Sequence, residues 1–327
     1  MRVVLSTYGS RGDVEPLLAL AVRLRRAGAE VRVCAPPEEE FAARSAGAGV
    51  PLVPVGESVR ALVSGPPPKP EDFPKRAAAL VAAFHEAVRA EADPGGVVVA
   101  TGLFPSAAGA RSAAETAGAR YVHVSLQPTM LPSPHHPPFQ YPGRPRAPEG
   151  TANEELWERD AESMNALFGG VVNAHRAAVG LPPVDSVRDH VLTARPWLAT
   201  DEVLGPWRRP AGLDVVQTGA WLADDRRPLP AGLEAFLAAG APPVYVGFGS
   251  MPMRGSADVA RLAVEQARAL GRRVVVGRGW AELGPAGDDG GWFVAGEVNH
   301  QALFPRVAAV VHHGGAGTTT AAARAGG

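Results

Sequence analysis

Apolar and polar positions along this chain follow two rhythms in turn. Residues 2–7 (RVVLST) are a short β-rich run that ends at Gly9. Leu17, Leu20, Ala21 and Leu24 then recur at the spacing of one helix face, and Gly28 closes that helix. The cycle repeats. A strand at 31–34 stops at Pro36 and Pro37, and a helix around 38–45 leads to a strand at 52–55. A long helix around 71–92 leads to a strand at 97–99, and a helix around 106–117 to a strand at 121–124. Further along, strands are predicted at 244–248, 273–276, 292–294 and 308–311. Ser256 is placed to cap a helix with Val259, Leu262, Ala263 and Leu270 on one face. Alternation of this kind predicts an α/β fold, in which a parallel sheet is covered on both faces by helices.

Two stretches break the rhythm, 56–70 with its three consecutive prolines and 127–150 with the segment PSPHHPPFQYPGRPRAPEG. Both follow strands, so both belong at the carboxyl edge of the sheet, where open α/β sheets bind ligands. Residues 218–230 (TGAWLADDRRPLP) are charged, proline-bounded and aperiodic, which reads as a linker. The chain of 327 residues therefore divides into a domain over 1–217, a linker over 218–230 and a second α/β domain over 231–327.

Composition narrows the function. A net charge of −1 gives no bulk attraction to nucleic acid or to an anionic membrane. The single cysteine, Cys34, forms no internal disulfide and fits a reducing compartment. The first apolar run is too short for a signal peptide, and no stretch approaches the ~18 apolar residues of a membrane span. A cytoplasmic protein is expected, without stable membrane insertion and without a nucleic-acid partner.

Candidate chemistry clusters where strands run into glycine turns. YGSRGDVEP (8–16) joins the first strand to the first helix. Asp13 there serves either as a helix cap or as a general base, with Ser10 close by. A dinucleotide fingerprint fits poorly, because the second strand ends CAPP without a carboxylate for a ribose. In the second half, VGFGS carries Ser250, and GRGW carries Trp280, either a core residue or a platform for a flat base. HHGGAGTTT (312–320) is a glycine turn opening a helix, a cradle of N–H groups suited to a diphosphate. The adjacent histidines His312–His313 and His135–His136 point to opposite faces of an extended segment, so no metal site is expected.

In combination and in this order, YGSRGDVEP, VGFGS, GRGW, EVNHQALF and HHGGAGTTT resemble the GT-B glycosyltransferases of family 1. QTGAW and VGLPPV point within it to the actinomycete glycosyltransferases of vancomycin- and teicoplanin-type antibiotic biosynthesis. The resemblance implies two Rossmann-like domains facing across a cleft, acceptor on the first and nucleotide-sugar on the second. It implies inverting, metal-independent transfer of a hexose or deoxyhexose from a UDP- or TDP-sugar to a hydroxyl of a large aglycone, with no cofactor and by a monomer. Asp13 would be the base and Ser10 its neighbour at the reacting centre. Ser250, His313, Gly315, Gly317 and Thr318 would contact the diphosphate, and Trp280 and Val298 the base. Phe139 and Tyr141, in the second proline-rich loop, would meet the acceptor. A sterol or lipid glucosyltransferase, a GT-B sugar epimerase and an inactive helper protein are the alternatives. The family pattern continues past the phosphate turn with a further strand and an Asp-Gln pair for the sugar. The sequence stops at Gly327, so a C-terminally truncated second domain is expected, with an open sheet edge and impaired stability or activity.

Overall fold

In a computed structural model the described residues are 1–66, 69–140, 147–209, 212–249, 256–279 and 291–326. They fall into two compact units, Met1–Ala223 and Asp224–Gly327. Residues 218–230 carry neither helix nor strand, and the division between the units lies within them. No helix of the described residues is long and apolar enough to cross a membrane.

The first unit begins β1 (Arg2–Tyr8), α1 (Arg11–Arg26), β2 (Glu30–Ala35), α2 (Glu39–Gly47) and β3 (Leu52–Pro54). It continues α3 (Val59–Ser64), α4 (Phe73–Glu91), β4 (Val97–Gly102), α5 (Phe104–Ala117) and β5 (Arg120–Ser125). Helices α6 (Asn153–Met164), α7 (Gly170–Ala178) and α8 (Val187–Leu192) precede two minimal strands, β6 (Trp197–Leu198) and β7 (Val216–Gln217). The sheet is parallel throughout, in the order β3-β2-β1-β4-β5-β6-β7. The stretch 56–70, expected as loop alone, contains α3, whose first turn is capped by Ser58.

One face of this sheet packs on α4 and α5. Val4, Tyr8 and Val98 meet Val81, Phe84 and Val88 of α4 and the alanines of α5. Phe84 is fully buried and meets the Tyr8 ring edge-on at 5.7 Å; its burial contributes roughly 2–3 kcal/mol. Helix α5 is almost entirely small residues because α4 lies close against it. A Cβ at Gly109 would overlap the Val81 carbonyl oxygen. Away from the sheet edge, Arg176 of α7 is 2% exposed and ties three helices together. Its guanidinium donates to Glu115 of α5 at 3.0 Å and to the Pro182 carbonyl at 2.8 Å, and lies 3.1 Å from His190 of α8.

The second unit runs α9 (Ala231–Ala238), β8 (Val244–Gly247), α10 (Ser256–Ala269), β9 (Val274–Gly277), β10 (Trp292–Ala295), α11 (His300–Leu303), β11 (Ala309–His312) and α12 (Ala316–Arg324). Its parallel sheet has the order β10-β9-β8-β11. Leu233, Leu237, Val275, Leu303 and Phe304 form a core on one face, and Val246, Val264, Val274 and Val276 on the other. Strand β11 pairs only with β8 among the described strands, and Val311 on it is 39% exposed. Asn299 caps α11 and donates to the carbonyls of Asp225 and Arg227, so it fastens the start of the unit to its sheet.

Candidate active site

Both sheets reverse their strand order at one point. In the first, β1 lies between β2 and β4; in the second, β8 lies between β9 and β11. The loops leaving such a pair of neighbouring strands diverge to opposite faces and open a crevice at the carboxyl edge. The turns that carry the sequence motifs sit at these two places.

In the first unit the turn after β1 is organised by a reciprocal cap. Ser10 is the N-cap of α1, and its hydroxyl accepts from the Gly12 N–H at 3.3 Å. The Ser10 N–H in turn donates to Asp13 Oδ2 at 2.9 Å. Asp13 Oδ1 makes no hydrogen bond in this arrangement and is left for other chemistry. The carboxylate folds back over Gly9, where a Cβ would overlap it. Gly9 is thus required by the close approach of Asp13 and not by a positive φ. Gly12 has open space, its nearest neighbour being Ser10 Oγ at 3.7 Å. Protein crowds the Asp13 carboxyl, and the resulting desolvation pushes its pKa up to about 6 against the opposing pull of the Ser10 N–H. A carboxylate of that kind is ionised at neutral pH and is a stronger base than an ordinary aspartate. The helix-cap and base readings of Asp13 therefore do not compete, since one oxygen caps and the other is free.

The loop after β4 meets this turn. Gly102 has φ +88°, and a Cβ there would stand 2.6 Å from Thr7 Oγ1 and 2.8 Å from the Tyr8 carbonyl oxygen. The next residue, Leu103, donates its N–H to that Tyr8 carbonyl at 3.0 Å. Nothing in the sequence pattern flags this junction, because it pairs two turns more than ninety residues apart.

In the second unit three turns converge along the register His312–Gly247–Gly277. The Tyr245 hydroxyl fills the space beside Gly247 and Gly277; a Cβ on either would overlap it. That hydroxyl lies 3.2 Å from His300 Nε2, and the His300 ring stacks on Phe304 at 4.5 Å. Tyr245 and His300 are the residues the motif reading missed: they form the floor under the turns. Gly249, at φ +65°, and Gly315 both lie against the Cε1–Nε2 edge of the His313 ring. Burial, with help from His312, lowers the His313 pKa, and its buried Nδ1 has no partner. His312 is used differently, its Nδ1 accepting from the Gly314 N–H at 3.1 Å.

Helix α12 starts at the turn without a side-chain cap on its N-cap residue, Gly315. The N–H groups of its first turn, including Gly317 and Thr318, have no acceptor within the helix. Thr319 and Thr320 spend their hydroxyls on the carbonyls of Gly315 and Ala316. The Thr318 hydroxyl makes no such bond and is left beside the bare N–H groups. This is an anion cradle with the positive end of a helix dipole behind it.

The remaining expected residues separate. Val298 is buried in the core beneath the turn after β10, so its side chain packs there and does not reach a ligand. That turn borders the one after β9, where the Arg278 N–H donates to Ala295 O at 2.8 Å. Phe139 is 58% exposed in the 127–150 loop. Tyr141, Ser250 and Trp280 lie outside the described residues. Among the described residues no group of three His, Cys, Asp or Glu side chains is placed to hold a metal ion.

Comparison with known proteins bears on the family and the fold. The Glycosyltransferase family 28 N-terminal domain matches residues 3–129, the span that holds Asp13 and Leu103. Three proteins of Amycolatopsis orientalis align over the whole chain, which spans 77–79% of their lengths. Glycosyltransferase GtfE is 51% identical, vancomycin aglycone glucosyltransferase 49% and dTDP-epi-vancosaminyltransferase 47%. The GT-B architecture recurs in the solved glycotransferase of kitacinnamycin, with TM-score 0.66 at 21% identity, over 99% of this chain and 78% of that one. With half of its residues shared along its full length, the chain belongs to the family of glycopeptide-antibiotic glycosyltransferases and is an enzyme of that class.

Proposed function

We propose that the protein transfers a hexose or deoxyhexose from a nucleoside-diphosphate sugar to a hydroxyl of a glycopeptide aglycone, with inversion at the anomeric carbon and without a metal ion. The observation that carries this reading is the Asp13 carboxylate, folded over Gly9 with one oxygen capping α1 and the other without a hydrogen bond; the second unit, taken by itself, supports it with a helix N-terminus that has no side-chain cap. The domain over 1–217 would take the acceptor and that over 231–327 the donor. Names of relatives support the substrate classes: one acts on the vancomycin aglycone, and another is a dTDP-sugar transferase. We favour a dTDP-sugar on that ground, with a UDP-sugar as the alternative the assay decides.

The chemistry follows from the residues. Asp13 Oδ1 takes the proton of the acceptor hydroxyl as its oxygen attacks the anomeric carbon. The bond from that carbon to the diphosphate oxygen breaks on the opposite side, which inverts the configuration. Negative charge grows on the departing diphosphate. The Gly317 and Thr318 N–H groups, the Thr318 hydroxyl and the α12 dipole would stabilise it, and Ser250 and His313 would also contact the diphosphate; a single donor in such a site is worth about 3 kcal/mol. Ser10 holds Asp13 in place through its N–H. Trp280 and the Val298 backbone would take the nucleobase, and Phe139 and Tyr141 the acceptor.

The test is transfer to vancomycin aglycone from UDP-glucose and from dTDP-glucose, with the anomeric configuration read by proton NMR and the rate measured with and without EDTA. An inverted product formed at the same rate in EDTA is expected. A retained configuration, or loss of activity on chelation restored by a divalent ion, would overturn the inverting and metal-independent parts respectively.

A further inference from the structure

Among the described residues of the first unit, and apart from Met1, the large apolar side chains that are strongly exposed lie on segments that follow strands. Val63 and Phe73 follow β3, Leu103 follows β4, Met130 and Phe139 follow β5, and Val203 and Leu204 follow β6. A scatter of exposed apolar residues is ordinary, but Leu103, directly at the carboxyl end of β4, stands on the edge that carries Asp13.

Leu103 stands out among them on local grounds. It is the N-cap of α5, a helix of fourteen residues, and no side chain caps that helix. Leucine is among the poorest N-cap residues, and serine, threonine, aspartate or asparagine there would hold the first turn better. The side chain is also 54% exposed, so it repays little through core burial. A position that breaks both the capping rule and the burial rule is held for another purpose. Its place supplies one: the Leu103 N–H is bonded to the Tyr8 carbonyl, one residue before the glycine on which Asp13 rests.

We propose that Leu103 is a specificity-determining residue, an apolar contact for the aglycone beside the hydroxyl that Asp13 deprotonates. This rests on the assignment of the acceptor to the first unit. The contact favours acceptors that carry an aromatic or aliphatic surface next to the reacting hydroxyl, and it disfavours small polar acceptors.

The experiment is titration of the full chain with vancomycin aglycone in the absence of donor, on wild type, Leu103→Ser and Leu103→Met, with Tm measured in parallel. Leu103→Ser is expected to weaken binding by about fivefold or more through lost apolar contact, while Tm stays level or rises because the new hydroxyl caps α5. Leu103→Met is expected to bind within about twofold of wild type, since it keeps apolar volume. Leu103→Ser binding as tightly as wild type, or wild type showing no saturable binding, would overturn the proposal. Asp13→Asn is titrated and assayed alongside. Its binding intact with turnover lost supports both readings; turnover kept would sink the base assignment and leave the Leu103 result standing.

Discussion

Replacing Gly9 by alanine separates the position of Asp13 from its identity. A Cβ on Gly9 would stand 2.5 Å from Asp13 Cγ and 3.0 Å from its Cβ, with a carboxylate oxygen closer still. Ordinary contact requires the carboxylate to retreat by about 1 Å, and a displacement of that size in a reacting group costs roughly 100-fold in rate. Stability should move little. Loss of the Ser10 N–H to Asp13 bond costs about 1 kcal/mol, and the narrower unfolded ensemble of alanine returns about 0.4–1 kcal/mol. The assay is steady-state transfer with Tm and a pH–rate profile. We expect kcat to fall by about two orders of magnitude, donor KM to hold, and Tm to shift by no more than a few degrees. The displaced carboxylate is better solvated, so the acid limb moves down from about 6 toward the ordinary carboxylate range. Gly12→Ala is the control, because its added methyl meets nothing nearer than 3.7 Å. A Gly9→Ala enzyme with kcat within about threefold of wild type would refute the reasoning, since the perturbed carboxylate would then be idle.

Two further outcomes follow from the same structure. Thr318→Ala should raise donor KM by about tenfold with acceptor KM unchanged, whereas Thr319→Ala, which loses only a bond to its own helix, should leave both constants near wild type; equal effects would place the diphosphate elsewhere. Arg176→Met should lower stability by about 2 kcal/mol, read by urea unfolding, because it removes the buried hydrogen bonds to Glu115 and the Pro182 carbonyl, while Arg111 and His190 still hold Glu115. Burial alone would raise the Glu115 pKa, but hydrogen bonds from His190 and Arg176 outweigh it and hold it at about 2. The stabilisation is therefore present above the unfolded value of 4.5 and is lost as pH falls from there toward about 2, and the Arg176→Met penalty should shrink over that window.

The parts of the fold that were legible in sequence are those where one period runs long enough to be seen. Helix α1 shows its apolar face over sixteen residues, and β1 is a run of buried residues bounded by a glycine turn. Helix α3 is six residues inside a proline-rich stretch and gives no period. Residues 151–217 are opaque for similar reasons. Their strands β6 and β7 are two residues each, and a π-helical turn at Asn165–Gly169 interrupts the 3.6-residue rhythm between α6 and α7. At the candidate site, motif reading located the glycine turns but not the side chains that shape them. Tyr245 dictates glycine at both 247 and 277, yet it sits in an unremarkable apolar run. Leu103 belongs to no motif, and its relation to Asp13 exists only once β1 and β4 pair.

The central claim is that Asp13 is the base, and Asp13→Asn tests it most directly. Asparagine keeps the shape and accepts from Ser10, but it cannot take a proton. The folded Asp13 carboxyl holds its proton more tightly than the unfolded one, so its ionisation lowers stability as pH rises through about 6. The variant should therefore be at least as stable as wild type at pH 7.5. In transfer to vancomycin aglycone we predict a fall in kcat of about 100-fold or more, with aglycone binding and donor KM retained and the acid limb near pH 6 abolished. A variant that keeps its rate and its acid limb would contradict the account.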